Sequence, residues 1–225
     1  MNLIMKKSLL LVAIAFIFVV SAQAQWRFGV KGGANVSGFF TESTVMTQQT
    51  PQVNFQLGGL AQINFWILTF QPELLYSQRS FRVEDAIDSY FLSQYAHLTT
   101  SHPTLDMTTR HLELPLNILY KQKIGSLKLI AEIGPKVTFN LGGTFNGEAD
   151  LYKSYADAYP FHWIDYGAGA GLGVEYKNFV LGTRWDWFLG RMGKPVIDES
   201  YGPSNTNIFN QMKYLNFNLT LTRLF

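Results

Sequence analysis

The chain has 225 residues, 47% of them hydrophobic and only 15% charged, with no cysteine. That length holds one large all-β domain or two small ones, and the missing thiols exclude a disulfide scaffold, a thiolate metal site, a cysteine nucleophile and a lipid-anchored cysteine. A mean hydropathy of +0.03 is apolar for a soluble chain, yet beyond the N-terminus no run of 18 apolar residues occurs, so apolar helices are not what would cross a membrane.

The first segment has the form of an export signal. Lys6 and Lys7 precede an apolar run over residues 9–20, followed by Ser21-Ala22-Gln23-Ala24-Gln25. A charged start, a short apolar core and a small-x-small site predict cleavage after Ala24, leaving residues 25–225 as the mature domain. Loss of Lys6 and Lys7 equalises basic and acidic residues at 16 each. The formal net charge becomes zero, and a nucleic-acid reading loses its support.

Eight segments then alternate apolar and polar residues, the mark of strands with one apolar face. In 26–39, Phe28, Val30, Ala34 and Val36 oppose Arg27, Lys31, Asn35 and Ser37. In 53–65, Phe55, Leu57, Ala61 and Ile63 oppose Asn54, Gln56, Gln62 and Asn64; in 66–79, Leu68, Phe70, Leu74 and Tyr76 oppose Thr69, Gln71, Glu73 and Ser77. Segment 110–121 sets Leu112, Leu114, Leu116 and Ile118 against His111, Glu113 and Asn117. The clearest, 126–141, has a wholly apolar odd face and an even face that is polar or small except at Ile130. Segments 163–176 and 179–190 follow, the first with glycines at 167, 169, 171 and 173 on its polar side. In the last, Leu215, Phe217, Leu219 and Leu221 alternate with Asn216, Asn218, Thr220 and Thr222. Pro72, Pro115 and Pro135 fall inside these runs, where bulges are expected.

Long connections (40–52, 80–109, 142–162, 191–213) alternate with short ones at 65–66, 121–125 and 177–178. This is the asymmetry of an outer-membrane barrel with short periplasmic turns, long external loops and both termini in the periplasm. Alternation alone does not say which face points outward. A girdle of Trp26, Phe65, Trp66, Tyr120, Tyr176, Phe179 and Phe225 on the apolar parity favours apolar-out, as does the small, mixed polar face. A C-terminal Phe on that parity resembles an outer-membrane assembly signal and implies handling by a barrel assembly machinery.

Eight strands leave a lumen that side chains just fill. Lys31, Glu73, Glu113, Lys121, Lys128, Glu132, Lys136, Asp165, Glu175, Arg184 and Asp186 would point into it. Such charges need partners, so a salt-bridged structural plug is expected, with a narrow ion path as the sharper alternative. No metal-ligand spacing, phosphate loop or cofactor motif appears. His97 and His102 lie in a loop, and His111 and His162 at strand starts near the outer rim. His111, Ser77 and Glu73 form the one conceivable set for a lipid A-modifying enzyme.

Four motifs resemble the PorT family of outer-membrane β-barrel proteins: Trp26-Arg-Phe-Gly-Val-Lys-Gly-Gly-Ala-Asn-Val-Ser after the cleavage site, Phe70-Gln-Pro-Glu-Leu-Leu-Tyr-Ser-Gln, His111-Leu-Glu-Leu-Pro-Leu, and Gly167-Ala-Gly-Ala-Gly-Leu-Gly-Val-Glu-Tyr. The resemblance implies an eight-stranded barrel in the outer membrane of a Gram-negative bacterium, and its named member is a component of type IX protein secretion. The expectation is therefore an all-β, eight-stranded antiparallel up-and-down transmembrane barrel, monomeric and without catalysis or cofactor. It would sit in outer-membrane lipid and lipopolysaccharide, in a structural or surface-interaction role, with loops 80–109, 142–162 and 191–213 open to a surface or secretion partner. The alternatives are a secretion-apparatus subunit, a lipid A-modifying enzyme and a soluble lipocalin-like binder.

Overall fold

The computed structural model describes residues 25–41, 48–84, 105–145, 162–190 and 212–225. The proposed signal at 1–24, His97, His102 and the middles of the long loops lie outside the described residues. The strands are β1 (Gln25–Thr41), β2 (Gln48–Pro51), β3 (Val53–Phe65), β4 (Leu68–Glu84), β5 (Leu105–Ile124), β6 (Leu127–Phe145), β7 (Ile164–Tyr176), β8 (Phe179–Phe188) and β9 (Met212–Leu224). Each pairs antiparallel with its neighbours in the order β1-β3-β4-β5-β6-β7-β8-β9. The β1–β9 pairing returns the ring to its first strand, and β2 continues β3 along β4. The result is a closed eight-stranded antiparallel barrel.

Closure is what a spanning sheet requires, because an open edge would leave unpaired N–H and C=O groups in hydrocarbon. The C-terminus completes it. Phe225 N donates to Phe28 O at 2.8 Å and Leu224 N to Asn178 O at 2.7 Å. The three short hairpins turn on Trp66-Ile67, Gly125-Ser126 and Lys177-Asn178. The first residue of each has a positive φ, of 50°, 60° and 54° respectively. Only Gly125 adopts that region without a Cβ penalty.

The strands run further than alternation indicated. β4 reaches Glu84, β5 begins at Leu105 and β6 ends at Phe145, so the long connections shrink accordingly. This polar extension carries the bidentate Arg82–Asp106 pair, with Nε–Oδ1 at 2.6 Å and Nη2–Oδ2 at 2.8 Å. The expected bulges at the three prolines do not form. Residue pairs drop out of the ladder beside Pro72 and Pro115, but the register is the same on either side. The shift in β5–β6 lies instead at Arg110/His111, opposite Gly142 at φ 110°.

Burial fixes which face points outward. Among the described residues, 24 polar side chains are buried against seven large apolar ones. Leu57, Leu74, Ile133, Leu172, Leu181 and Leu221 are all more than half exposed. A soluble lipocalin-like barrel needs the reverse, so that alternative is overturned. The girdle aromatics at the short-turn end, Trp26 to Phe225, all face outward or stand at a turn, Trp66 itself being 98% exposed on the hairpin tip. A second outward belt lies at the other end, with Phe55 against Tyr76 and Phe139 against Trp163 at 6.0 and 6.2 Å. Tyr166 and Tyr176, on one face of β7, span about 33 Å of strand, or about 25 Å of height at a tilt of about 40°. That matches the apolar band of a membrane barrel.

Gly134 marks where strands pass too close for a side chain, since a Cβ there would collide with the Leu116 carbonyl oxygen. Gly134→Ala should therefore lower barrel stability by about 1–3 kcal/mol in urea unfolding from lipid vesicles. Gly59→Ala, whose nearest neighbour would be Gly29 O at 3.8 Å, should change it little.

Candidate functional site

The polar face of each strand delivers its charges into the lumen, and side chains from distant strands meet there. At the short-turn mouth Glu175 on β7 accepts from Lys128 at 2.6 Å and Arg27 at 3.0 Å on Oε1, and from Lys121 at 3.4 Å on Oε2. Lys121 also donates to Gln62 (2.7 Å), Gln62 to Gln71 (2.6 Å) and Gln71 to Glu73 (2.6 Å). Glu73 further accepts from Lys31 at 2.6 Å and Asn117 at 3.0 Å.

Asn117 links this lower tier to the upper one by accepting from Arg184 at 2.8 Å. Arg184 reaches Asp186 at 2.6 Å and Glu132 at 3.3 Å. Lys136 bridges Asp186 at 2.5 Å and Glu113 at 2.7 Å. Arg79 closes the chain on Glu113 at 2.7 Å, with its guanidinium 4.2 Å above the Phe188 ring. One hydrogen-bonded network thus runs from Arg27 to Arg79 through the barrel. It leaves a cavity of about 30 Å³ lined in part by Lys31, Gln62, Gln71 and Glu132, room for about two waters.

The glycines of β7 make space for these pairs. A Cβ on Gly169 would strike Asp186 Oδ1 and come within 2.5 Å of Arg184 Nη2. A Cβ on Gly171 would lie 2.8 Å from Glu132 Oε1. The glycine column is where the bulky partners of β6 and β8 fold down against the wall.

The structure brings together Lys31, Glu73, Glu113, Lys121, Lys128, Glu132, Lys136, Glu175, Arg184 and Asp186. Asp165 stands apart: it makes no ion pair among the described residues and accepts instead from the Tyr166 amide at 2.7 Å. Two members absent from the expected set are Arg27 and Arg79. Arg27 had the right parity. Arg79 shares the parity of Glu73 and Ser77 and is the last residue of the segment 66–79, so parity carried to the end of that segment would have found it. His111, expected at the outer rim, is buried inside the lumen, with Nε2 2.7 Å from Thr109 Oγ1 and no partner on Nδ1. Ser77 lies opposite it on β4, but both face the lumen, where lipid does not reach, and Glu73 is engaged by Lys31, Gln71 and Asn117. No group of three or more acidic or histidine side chains suited to a metal occurs among the described residues.

Residues 21–192 match the family model for the outer membrane protein beta-barrel domain. The chain belongs to this family. It is an integral outer-membrane β-barrel protein. In fold it is similar to Ail, the attachment invasion locus protein of Yersinia pestis, whose structure contains the heparin analogue sucrose octasulfate: 10% identity, 89% of this chain and 99% of that one, TM-score 0.43. It is similar also to Neisserial surface protein A, with 12% identity over 87% and 96% and a TM-score of 0.43. A major outer membrane protein of Thermus thermophilus gives 15% identity over 89% and 99% with a TM-score of 0.46. No curated protein sequence matches the chain.

Removing Lys136 would take a shared cation from two buried carboxylates at once, leaving Glu113 only Arg79 and Asp186 only Arg184 as ionic partners among the described residues. Lys136→Met should destabilise the outer-membrane barrel by about 3–5 kcal/mol, whereas Asp165→Asn should stay within about 0.5 kcal/mol. Urea titrations of the two refolded variants compare them directly, and equal losses would contradict the separation of Asp165 from the network.

Proposed function

We propose that the protein is a non-catalytic outer-membrane barrel that displays its four long connections at the cell surface, with a lumen closed by its own side chains. The observation that carries this reading is the network from Arg27 to Arg79. Its members come from β1, β3, β4, β5, β6, β7 and β8, so opening an aqueous path would strand charges on every side. The polar extensions of β4, β5 and β6 support the connections above the membrane, and the apolar outer wall supports contact with outer-membrane lipid and lipopolysaccharide. The lumenal placement of Ser77 and His111 argues against a lipid A-modifying site.

The same proposal extends to processing, assembly and kinship. The residues before Gln25 act as an export signal cut after Ala24. The barrel works as a monomer after insertion by the barrel assembly machinery. Its motifs at residues 26–37, 70–78, 111–116 and 167–176 resemble those of PorT-like proteins, and that resemblance alone supports a part in secretion.

In planar bilayers the purified protein should give no steady large conductance; stable channels would overturn the closed lumen. Proteinase treatment of intact cells should cut within residues 146–161 or 191–211 and spare the turns at Gly125-Ser126 and Lys177-Asn178. The reverse pattern would invert the assigned orientation.

A further inference from the structure

The mature chain is neutral, but its charge is sorted along the barrel axis. Within four residues of a short turn or of the paired ends at Gln25 and Phe225 lie six cationic side chains, Arg27, Lys121, Lys123, Lys128, Lys177 and Arg223, and one acid, Glu175. The four connections at the opposite end, residues 42–47, 85–104, 146–161 and 191–211, carry eight acids and three bases in their sequence. The middle of the lumen is internally paired. The short-turn end is thus strongly positive and the loop end negative, although neither sign is visible in the net charge.

The six cations fall into two groups. Lys177 and Arg223 stand on the outer rim, each against an aromatic ring of the girdle: Lys177 Nζ is 5.3 Å from the Tyr176 centroid and the Arg223 guanidinium 4.6 Å from that of Phe179. These suit the phosphates of membrane lipids. Arg27, Lys121 and Lys128 lie on the lumen side of the wall, which separates them from the bilayer. Glu175 is fully buried beneath them and gathers all three, neutralising one charge and leaving two. The three cationic side chains remain 23%, 13% and 40% exposed, and Lys123 beside them is exposed on the β5–β6 hairpin. Glu175 holds these long side chains in one place before any partner arrives, which lowers the entropy lost on binding.

We propose that this axial mouth is a docking site for an acidic polypeptide segment on the periplasmic side, with Arg27, Lys123 and Lys128 contacting its carboxylates and Glu175 positioning Arg27 and Lys128. The proposal rests on the orientation given above, which the proteolysis of intact cells tests separately; the binding itself is independent of orientation once the barrel is in detergent. Lipid headgroups can reach the rim cations but not the axis, and this favours a polypeptide over the bilayer as the occupant.

The test uses the full mature barrel, refolded in zwitterionic micelles, and a fluorescent deca-glutamate peptide followed by anisotropy. Binding is expected at about 20 mM salt and should weaken sharply at about 300 mM, where the screening length is about 6 Å. Lys123→Gln with Lys128→Gln should weaken it at least about tenfold, while Lys177→Gln with Arg223→Gln should change it by less than about twofold. Lys123, Lys177 and Arg223 are exposed and Lys128 is half-buried, and folding of each variant is checked by faster migration of the unboiled band. Absence of binding at low salt overturns the proposal. Equal loss from the two pairs, or full displacement of the peptide by phosphatidylglycerol micelles without effect of the axial pair, overturns it in favour of a lipid-headgroup rim. Lys123→Gln alone, remote from Glu175, keeps the test valid where the double variant fails to fold.

Discussion

An eight-stranded ring encloses a space no wider than the side chains that line it, and most features of this protein follow from that limit. Hydrocarbon outside demands closure and apolar side chains on one parity; closure at this radius then forces the other parity inward. An inward side chain meets other side chains rather than bulk water. Ion pairing is therefore the condition on which so polar a lumen can exist, since an isolated buried charge costs several kcal/mol.

The same limit explains the glycines of β7. The lumen holds long cations from β1, β4, β5, β6 and β8, and something must recede to admit them. β7 recedes: three of its inward positions, Gly167, Gly169 and Gly171, have no room for a Cβ, while Glu175 supplies its one large inward acid near the mouth. Gly169 faces the Arg184–Asp186 pair directly, so the absence of one side chain and the presence of two others are a single packing solution. Phe188 plays the complementary part on β8, offering a ring face to Arg79 where a further carboxylate would overload the tier.

Period-two alternation states which face a residue takes, and so the barrel, its parity and the short turns were legible in the sequence. It does not state height or angle around the ring. Glu113 pairs with Lys136 on the adjacent strand, but Glu175 pairs with Arg27 three strands away, and Asn117 meets Arg184 across the lumen. Those contacts depend on stagger and closure, which only the complete register supplies. Extended strand ends were missed for a related reason. Beyond Tyr76 the residues of the outward parity become polar, at Gln78, Ser80 and Arg82, because they rise above the bilayer; loss of apolar alternation there marks the edge of the membrane rather than the end of the strand. The prolines misled in the opposite direction. A tilted, strongly coiled wall already drops hydrogen bonds at intervals, so Pro72 and Pro115 occupy such gaps without an extra residue.

A network that is neutral in the middle and positive at one end divides the lumen into two electrostatic regimes. Tiers around Glu113 and Asp186 match cation to acid almost one for one, the arrangement that minimises uncompensated charge where water is scarce. At the mouth, Glu175 is outnumbered by Arg27, Lys121 and Lys128, an imbalance tolerable only because water reaches their outer sides. If rigidity were the sole requirement, a second carboxylate at that level, for instance at the position of Gln62, would stabilise the cluster further. The sequence places an amide there instead. Keeping the mouth positive while the interior is balanced is what a barrel would need to present a fixed charge to the compartment beneath it without letting that charge destabilise the wall.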